Sequence, residues 1–253
     1  MKTWNINGIV IGEGKPKIII PIIGETNEEV LKQFNTVMNL EPDIIEWRAD
    51  AYEKVEHLDS VINLLCQMRK EQKQIPLLFT FRTKKEGGLK DLPTRYYKKL
   101  LETVIETKLV DVIDIELFTG DTLVSELISL AVKNSIYTII SYHDFHETPS
   151  KDEIVSRLKK MQDLGGHIPK IAVMPHNTQD LLTLLAATET MKTTYADRPL
   201  ITIAMGPLGL ISRIGCEVFG SSCTFGAGEQ ASAPGQIPAQ ELQTVLQIIH
   251  KNL

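Results

Sequence analysis

The chain alternates regularly between short apolar runs and longer amphipathic segments, and this pattern limits the possible folds more than any other feature. Eight apolar runs start 23 to 36 residues apart, about 29 on average, which is the size of one strand-plus-helix unit. The runs are 17–23, 43–47, 76–81, 112–117, 135–141, 169–174, 199–205 and a weaker one at 223–225. Strands that alternate with helices favour a parallel sheet, because each helix returns the chain to the same end of the sheet.

The segments between the runs carry helix-start signals. Thr26 and Glu29 match a capping box, in which each side chain satisfies the other residue's backbone N–H. Ser150 and Glu153 match a second box, and Asn177 can cap a later helix. These signals place helices where the alternation requires them.

Eight units fit a closed (β/α)8 barrel that uses residues 1–253 as a single catalytic domain. An open doubly wound sheet is the alternative, but it usually has a Gly-rich phosphate turn after its first strand. Here that turn reads Gly24-Glu-Thr-Asn27, with an acidic residue where a phosphate would bind. The segment 4–14 contains Asn7-Gly8, a hairpin signal. We therefore predict an α/β fold, a TIM barrel whose N-terminal β-hairpin closes the N-terminal end.

Composition excludes several classes of protein. The net charge is −5 and there is no basic tract, which argues against a nucleic-acid partner. No stretch approaches the roughly 20 apolar residues of a membrane helix, and no N-terminal segment resembles a secretory signal. The three cysteines lack CxxC spacing and are typical of reduced thiols, so we expect a cytoplasmic protein.

Charged residues end the second and third runs, where a barrel places its active site. Glu46, Arg48 and Asp50 alternate and share one face, which we expect to point into the barrel mouth. A solvated edge strand is the alternative, which helix-covered parallel strands disfavour. Arg82 ends the third run, before a charged Gly-Gly loop. That loop is either a mobile lid with Glu86 as a functional group, or an ordinary loop in which Glu86 has no special role.

The fifth and sixth runs carry a histidine and a lysine. Lys170 is enclosed by apolar residues, and a buried lysine nearly always has a partner or a task. Burial lowers a lysine pKa, and a neutral amine can form an imine with a ketone. A salt bridge to Glu46, Asp114 or Glu116 is the alternative. His143 ends the fifth run, where it can act as a general acid or base or be purely structural.

The last two loops suit an anionic ligand. A Gly-containing turn leads into a short helix that carries Arg213, and this combination suits a carboxylate or a phosphate. The loop 225–236 offers Ser232 and Gln236 to a polar ligand, although its Gly and Pro residues also fit plain turn chemistry. No HxH or HExxH pattern occurs, so we expect no metal site. The predicted ligand is small, polar and anionic, and carries a carbonyl group.

Five motifs occur in a specific order from about residue 17 to the C-terminus. They are Glu46-Trp-Arg-Ala-Asp50, Phe79-Thr-Phe-Arg82, Ser141-Tyr-His-Asp-Phe145, Lys170-Ile-Ala-Val-Met-Pro175 and Met205-Gly-Pro-Leu-Gly-Leu-Ile-Ser-Arg213. In combination they resemble the type I 3-dehydroquinate dehydratases, also called type I dehydroquinases.

The resemblance implies a homodimeric (β/α)8 barrel of the shikimate pathway, which leads to aromatic amino acids. Its members dehydrate 3-dehydroquinate to 3-dehydroshikimate and water without a metal or organic cofactor. It implies that Lys170 forms a Schiff base, that His143 moves the proton and that Glu86 orients or tunes His143. The implied substrate-binding residues are Glu46, Arg48, Arg82, Arg213, Ser232 and Gln236. One departure is Pro21, where many members have a serine, so one substrate contact is missing or replaced.

Two other functions compete with this interpretation. A class I aldolase barrel shares the lysine and the arginines, but it would favour a phosphate site, and His143 with Glu46-Trp-Arg48 does not suit it. A metabolite sensor could bind through Arg213 and Gln236 after losing its catalytic groups, but Lys170 and His143 are both present.

Overall fold

The computed structural model describes residues 2–229 and 232–253, and its strands form a hairpin and a barrel. The hairpin strands are β1 (Trp4–Ile6) and β2 (Ile9–Ile11), which pair antiparallel. The barrel strands are β3 (Lys17–Ile22), β4 (Ile44–Arg48), β5 (Leu77–Thr80), β6 (Val112–Glu116), β7 (Tyr137–Asp144), β8 (Ile168–Val173), β9 (Ile201–Ala204) and β10 (Cys223–Ala227). A two-residue strand, β11 (Ile237–Pro238), adds to β10.

Helices follow the barrel strands as the alternation predicts. They are α1 (Asn27–Met38), α2 (Leu58–Glu71), α3 (Thr94–Thr107), α4 (Asp121–Lys133), α5 (Lys151–Asp163), α6 (Thr178–Thr190), α7 (Leu210–Ile214), α8 (Cys216–Phe219) and α9 (Ala239–His250). Within residues 2–229 and 232–253, none of them has both the length and the apolar character to cross a membrane.

The structure confirms the predicted helix caps, with one exception. Thr26 and Glu29 form both halves of the predicted capping box, and Asn177 caps α6. Ser150 accepts a hydrogen bond from the backbone of Glu153, but the Glu153 carboxylate pairs with Arg157 instead of closing the second box. A nearby cation therefore competed with the backbone for this carboxylate.

The strands close into a barrel, as predicted. They pair parallel and in chain order from β3 to β9, and β10 pairs with β3. A bridge between Leu200 and Ser221 joins β9 to β10, and the backbone nitrogen of Ser222 donates to the Leu200 carbonyl at 2.8 Å. This closure excludes the open doubly wound alternative.

Alternate residues of the strands build two apolar layers. One set packs outward against the helices, and the other fills the barrel interior. Ile6 and Ile11 of the hairpin join the interior layer at its N-terminal end. The Trp4 indole also donates to the His167 carbonyl at 2.8 Å. The hairpin therefore closes the N-terminal end, as predicted, and leaves the opposite end open.

Candidate active site

A cavity opens at the carboxyl ends of the strands, with about 480 Å³ of empty space when its solvent-open mouth is included. Its apolar lining includes Phe145, Ala172, Ile203, Met205 and Phe225. The nine site residues singled out in the sequence all line it, namely Glu46, Arg48, Arg82, Glu86, His143, Lys170, Arg213, Ser232 and Gln236. They converge because parallel strands bring their carboxyl ends to one rim.

Strand register sets how Lys170 and His143 face each other. The β7–β8 ladder pairs Ser141 with Lys170 and His143 with Ala172. Residues two apart on a strand share a face, so these four side chains point the same way. The lysine and the histidine therefore lie on neighbouring strands, one pleat apart, above the packed interior of the barrel.

Lys170 is buried, and its amine makes a long ion pair with Asp114, one of the three partners that the salt-bridge alternative named. Its Nζ lies 3.8 Å from Asp114 Oδ2, which is longer than a hydrogen bond, and 4.4 Å from the centroid of the Phe225 ring. Burial lowers the pKa of Lys170 below 10.5 and outweighs the opposing effect of Asp114. The pKa shift increases the fraction of neutral amine, which is the nucleophilic form.

His143 is tied to Glu86. Glu86 Oε2 accepts from the His143 backbone nitrogen at 3.0 Å and lies 3.0 Å from Nδ1. Burial lowers the pKa of His143 well below 6.5, and the positive charges of Arg82 and Lys170 lower it further. His143 is therefore neutral near pH 7 and can accept a proton. Burial also raises the pKa of Glu86, and the charge of Glu116 adds to this rise.

The loop that carries Glu86 is held at both ends. Thr83 donates from its backbone nitrogen and its hydroxyl to Glu116, both at 2.8 Å. At the other end, the backbone nitrogen of Leu89 donates to Asp50 Oδ2 at 3.0 Å. The Glu86 side chain is 7% exposed. These bonds favour a fixed loop over the mobile lid considered from the sequence.

Arg82 lines the cavity as a buried cation that is held by neighbouring acceptors. Its Nη1 donates to Glu116 at 3.0 Å and to Ser141 Oγ at 2.9 Å, and its Nη2 donates to Asp114 at 2.9 Å. Burial alone would lower the pKa of Arg82, but these carboxylates outweigh it and raise the pKa. Most of its donors are already used, which leaves few for a ligand.

Ser141 and Thr83 were missed in the sequence analysis. The Ser141 hydroxyl bridges Arg82 and Asp114, and the Thr83 hydroxyl donates to Glu116, which also accepts from Arg82. Ser141 shares strand parity with His143, which is the one signal that pointed to it.

Glu46 and Arg48 occupy the opposite wall. Glu46 accepts from the Thr80 hydroxyl at 2.8 Å. Arg48 makes a two-point ion pair with Asp50, with distances of 2.8 and 3.0 Å. Asp50 itself is fully buried in the turn after β4, so it organises Arg48 and the neighbouring loop rather than lining the cavity.

Arg213 is a buried cation without a counter-ion among the described residues. It is 1% exposed, its Nη2 donates to the Pro234 carbonyl at 3.0 Å, and its Nε has no hydrogen-bond partner within residues 2–229 and 232–253. Burial lowers the pKa of Arg213 from 12.5 to about 10. An unpaired buried guanidinium beside a cavity suits an anionic ligand.

Ser232 and Gln236 close the rim above Arg213. Gln236 Oε1 accepts from the Ser232 backbone nitrogen at 2.7 Å, and Gln236 Nε2 donates to Ser232 Oγ at 2.8 Å. Gln230 and Ala231 of the same predicted loop lie outside the described residues. Over residues 2–229 and 232–253, no three His, Cys, Asp or Glu side chains are arranged to hold a metal ion.

Comparison with known proteins identifies similar chains. Residues 18–253 match the family model for type I 3-dehydroquinase. A Bacillus subtilis protein named 3-dehydroquinate dehydratase is 58% identical over 252 residues, covering 100% of this chain and 99% of the relative. A Clostridium novyi protein of the same name is 47% identical over 253 residues, covering 100% of both chains.

Solved structures are also similar. The crystal structure of type I 3-dehydroquinate dehydratase from Clostridium difficile, with covalently modified comenic acid, matches with a TM-score of 0.97 at 48% identity, covering 100% of this chain and 99% of that one. A 3-hexulose-6-phosphate synthase matches with a TM-score of 0.60 at 16% identity, covering 90% and 99%, and that likeness extends to the fold alone.

Proposed function

The chain belongs to the type I 3-dehydroquinase family, and from that premise we propose that it dehydrates 3-dehydroquinate through a Schiff base at Lys170. The products are 3-dehydroshikimate and water, and the pathway is the shikimate route to aromatic amino acids. One observation carries the proposal. The buried Lys170 amine, with its lowered pKa, lies one pleat from a neutral His143 in a single cavity.

The first step joins Lys170 to the substrate. The neutral Nζ adds its lone pair to the ketone carbon, and the carbonyl oxygen leaves as water. That water takes one proton from the nitrogen and one from a surrounding acid or solvent. A protonated imine remains, and its positive nitrogen can accept an electron pair. The Clostridium difficile relative was crystallised with covalently modified comenic acid, which is consistent with covalent chemistry in this family.

The second step moves one proton through His143. His143 removes a proton from the carbon beside the imine, and the electron pair flows to the nitrogen to give an enamine. The enamine then expels the hydroxyl one carbon further on, and that hydroxyl takes the same proton from His143 and leaves as water. Hydrolysis of the resulting conjugated imine consumes one water and returns the Lys170 amine.

The remaining residues bind and orient the substrate in this proposal. Arg213, whose Nε has no partner among the described residues, anchors the substrate carboxylate, and Ser232 and Gln236 line the same cavity. Glu46 and Arg48 hold hydroxyl groups on the opposite wall. Pro21 lies in β3 opposite Glu46 in the ladder, so a hydroxyl contact that a serine would make there is either missing or replaced by one from another residue.

Borohydride trapping tests the proposal. Incubation with 3-dehydroquinate and borohydride, followed by peptide mass mapping, should place a reduced adduct on Lys170. The His143→Ala variant should also form this adduct while eliminating water very slowly. The matched variant Lys170→Gln should give no adduct. An adduct on another lysine, or none at all, would contradict the proposal.

We also propose that residues 1–253 form one catalytic domain, and that the enzyme works as a homodimer in the cytoplasm. Family likeness supports the dimer, and so do half-exposed apolar side chains at Leu210, Ile211 and Val218 on α7 and α8. Three free thiols suit a reducing compartment. Light scattering after gel filtration should give twice the chain mass, and a monomer mass would contradict the dimer.

A further inference from the structure

The Lys170 nitrogen lies between a carboxylate oxygen and an aromatic ring. Asp114 Oδ2 on β6 is 3.8 Å from Nζ, and the Phe225 ring on β10 has its centroid 4.4 Å from Nζ. These two groups come from strands on opposite sides of β8 in chain order. Nothing in the proposed proton transfers uses either of them.

Asp114 is fixed, and one of its oxygens is uncommitted. Its Oδ1 accepts from Arg82 Nη2 at 2.9 Å and from Ser141 Oγ at 2.6 Å. Its Oδ2 is buried and has no hydrogen-bond partner in the described part of the chain. A buried carboxylate oxygen is rarely left unmatched, because removing it from water is costly. The charge on Oδ2 is therefore available to a cation at the position of Nζ.

Phe225 presents the face of its ring to the same nitrogen. The residue is 5% exposed, so little water competes with the contact. The face of an aromatic ring carries negative potential and attracts a cation, most strongly where the site is dry. A leucine would fill similar space without this attraction.

We propose that Asp114 and Phe225 form a cation cradle that stabilises positive charge on the Lys170 nitrogen once the imine has formed. This inference rests on the proposed function and deepens it. In the resting enzyme, burial outweighs the cradle and lowers the pKa of Lys170, so the amine can attack. After condensation the imine nitrogen carries a positive charge, which is neutralised only when the adjacent proton is removed and the enamine forms. The cradle then favours the protonated imine over the free ketone and amine.

Fluorinated phenylalanines at position 225 test the cradle. Each added fluorine weakens the negative potential of the ring face and hardly changes its size. In a His143→Ala background, where imine accumulates, the apparent dissociation constant of the imine can be measured by borohydride trapping at increasing substrate concentrations. The measurement is made at an alkaline pH, where the Lys170 amine is neutral. We expect this constant to rise stepwise, by about tenfold to thirtyfold from Phe to trifluoro-Phe.

Two further variants complete the test. Fluorination of Phe81, a core residue outside the cavity, should leave the constant unchanged. Asp114→Asn keeps the shape of the side chain but removes its charge, so it should also raise the apparent dissociation constant of the imine. A flat fluorine series at Phe225 overturns the cradle while Lys170 still forms its adduct. Failure of the parent protein to form an adduct overturns the proposed function instead, so the two failures are distinct.

Discussion

Glu86 Oε2 lies 3.0 Å from the backbone nitrogen of His143 and 3.0 Å from its Nδ1. This double contact fixes the imidazole ring against the wall of the cavity. It also engages Nδ1, which leaves Nε2 as the nitrogen that can exchange a proton with a ligand. The relationship depends on a loop that is itself held by Glu116 and Asp50.

Removing the charge of Glu86 should slow elimination without preventing imine formation. We expect Glu86→Gln to lower kcat roughly tenfold and Glu86→Ala about a hundredfold, because general acid–base catalysis depends on the orientation and basicity of His143. Single-turnover rates measure the loss, and trapping at Lys170 should persist. Glu71→Gln, on an exposed part of α2, is the control and should keep the full rate. A full rate in Glu86→Gln would contradict the assigned role.

The pH dependence of kcat should report the protonation of His143. The ring must be neutral to take a proton, and its folded pKa lies well below 6.5 because of burial and nearby cations. Activity should therefore hold from neutral pH downward and fall only as pH drops through that lowered pKa. The profile of kcat, rather than kcat/KM, is required, because free Lys170 also titrates in the latter. An acidic limb above pH 6.5 would contradict this prediction.

Arg213 should contribute to affinity for the substrate carboxylate. We expect Arg213→Gln to raise KM by a factor equivalent to about 2 to 4 kcal/mol, with a smaller change in kcat. Its thermal stability should not fall, since the variant removes a buried guanidinium that has no counter-ion among the described residues. A substrate methyl ester is the matched control. If the variant weakens binding of acid and ester equally, Arg213 does not contact the carboxylate.

A side chain at Gly87 should impair activity. Its φ is +84°, and an added Cβ would lie 2.1 Å from the Phe145 ring. Gly8 has a similar φ of +88° with nothing within 4 Å, so Gly8→Ala reports the backbone strain alone. We expect both alanine variants to lose about 1 kcal/mol of stability from that strain. Only Gly87→Ala should also lose activity, because the clash displaces the turn that carries Glu86. Equal activity in both variants would contradict this.

His167 should make the protein less stable in acid. Its Nδ1 accepts from the Thr138 backbone N–H at 3.1 Å, which a protonated ring could not do. Burial lowers the pKa of His167 from 6.5 to about 4. Between pH 6.5 and about 4, His167 is protonated in the unfolded chain but not in the folded one. The free energy of unfolding therefore decreases as the pH falls through this range. We expect His167→Asn to reduce this acid loss by about 1 to 2 kcal/mol, allowing for screening of a partly exposed ring. Denaturant unfolding at several pH values measures the free energy of unfolding of both proteins. If it decreases equally with falling pH in the parent and in His167→Asn, the prediction is contradicted.

The parity of strand-end residues predicted much of the site. Glu46, Arg48 and Lys170 could be assigned to the barrel mouth because side chains alternate along a strand and parallel strands end at one rim. The same argument misplaced Asp50, which the chain carries into a turn after β4. Side chains alternate between the two faces only while the backbone stays extended. The orientation of a residue that follows the end of a strand therefore cannot be predicted from this alternation.

The sequence by itself determined the barrel, its hairpin and the rim on which the charged residues gather. These follow from local periodicity and from the fixed geometry of a strand-plus-helix unit. Only the tertiary structure decided which groups pair. Among residues 2–229 and 232–253, no partner takes the Nε donor of Arg213. Phe225 approaches Lys170 because the barrel closes, and Glu86 reaches His143 because its loop is tied to two buried carboxylates. Such contacts join residues far apart in the chain, and their distances depend on how the whole barrel packs.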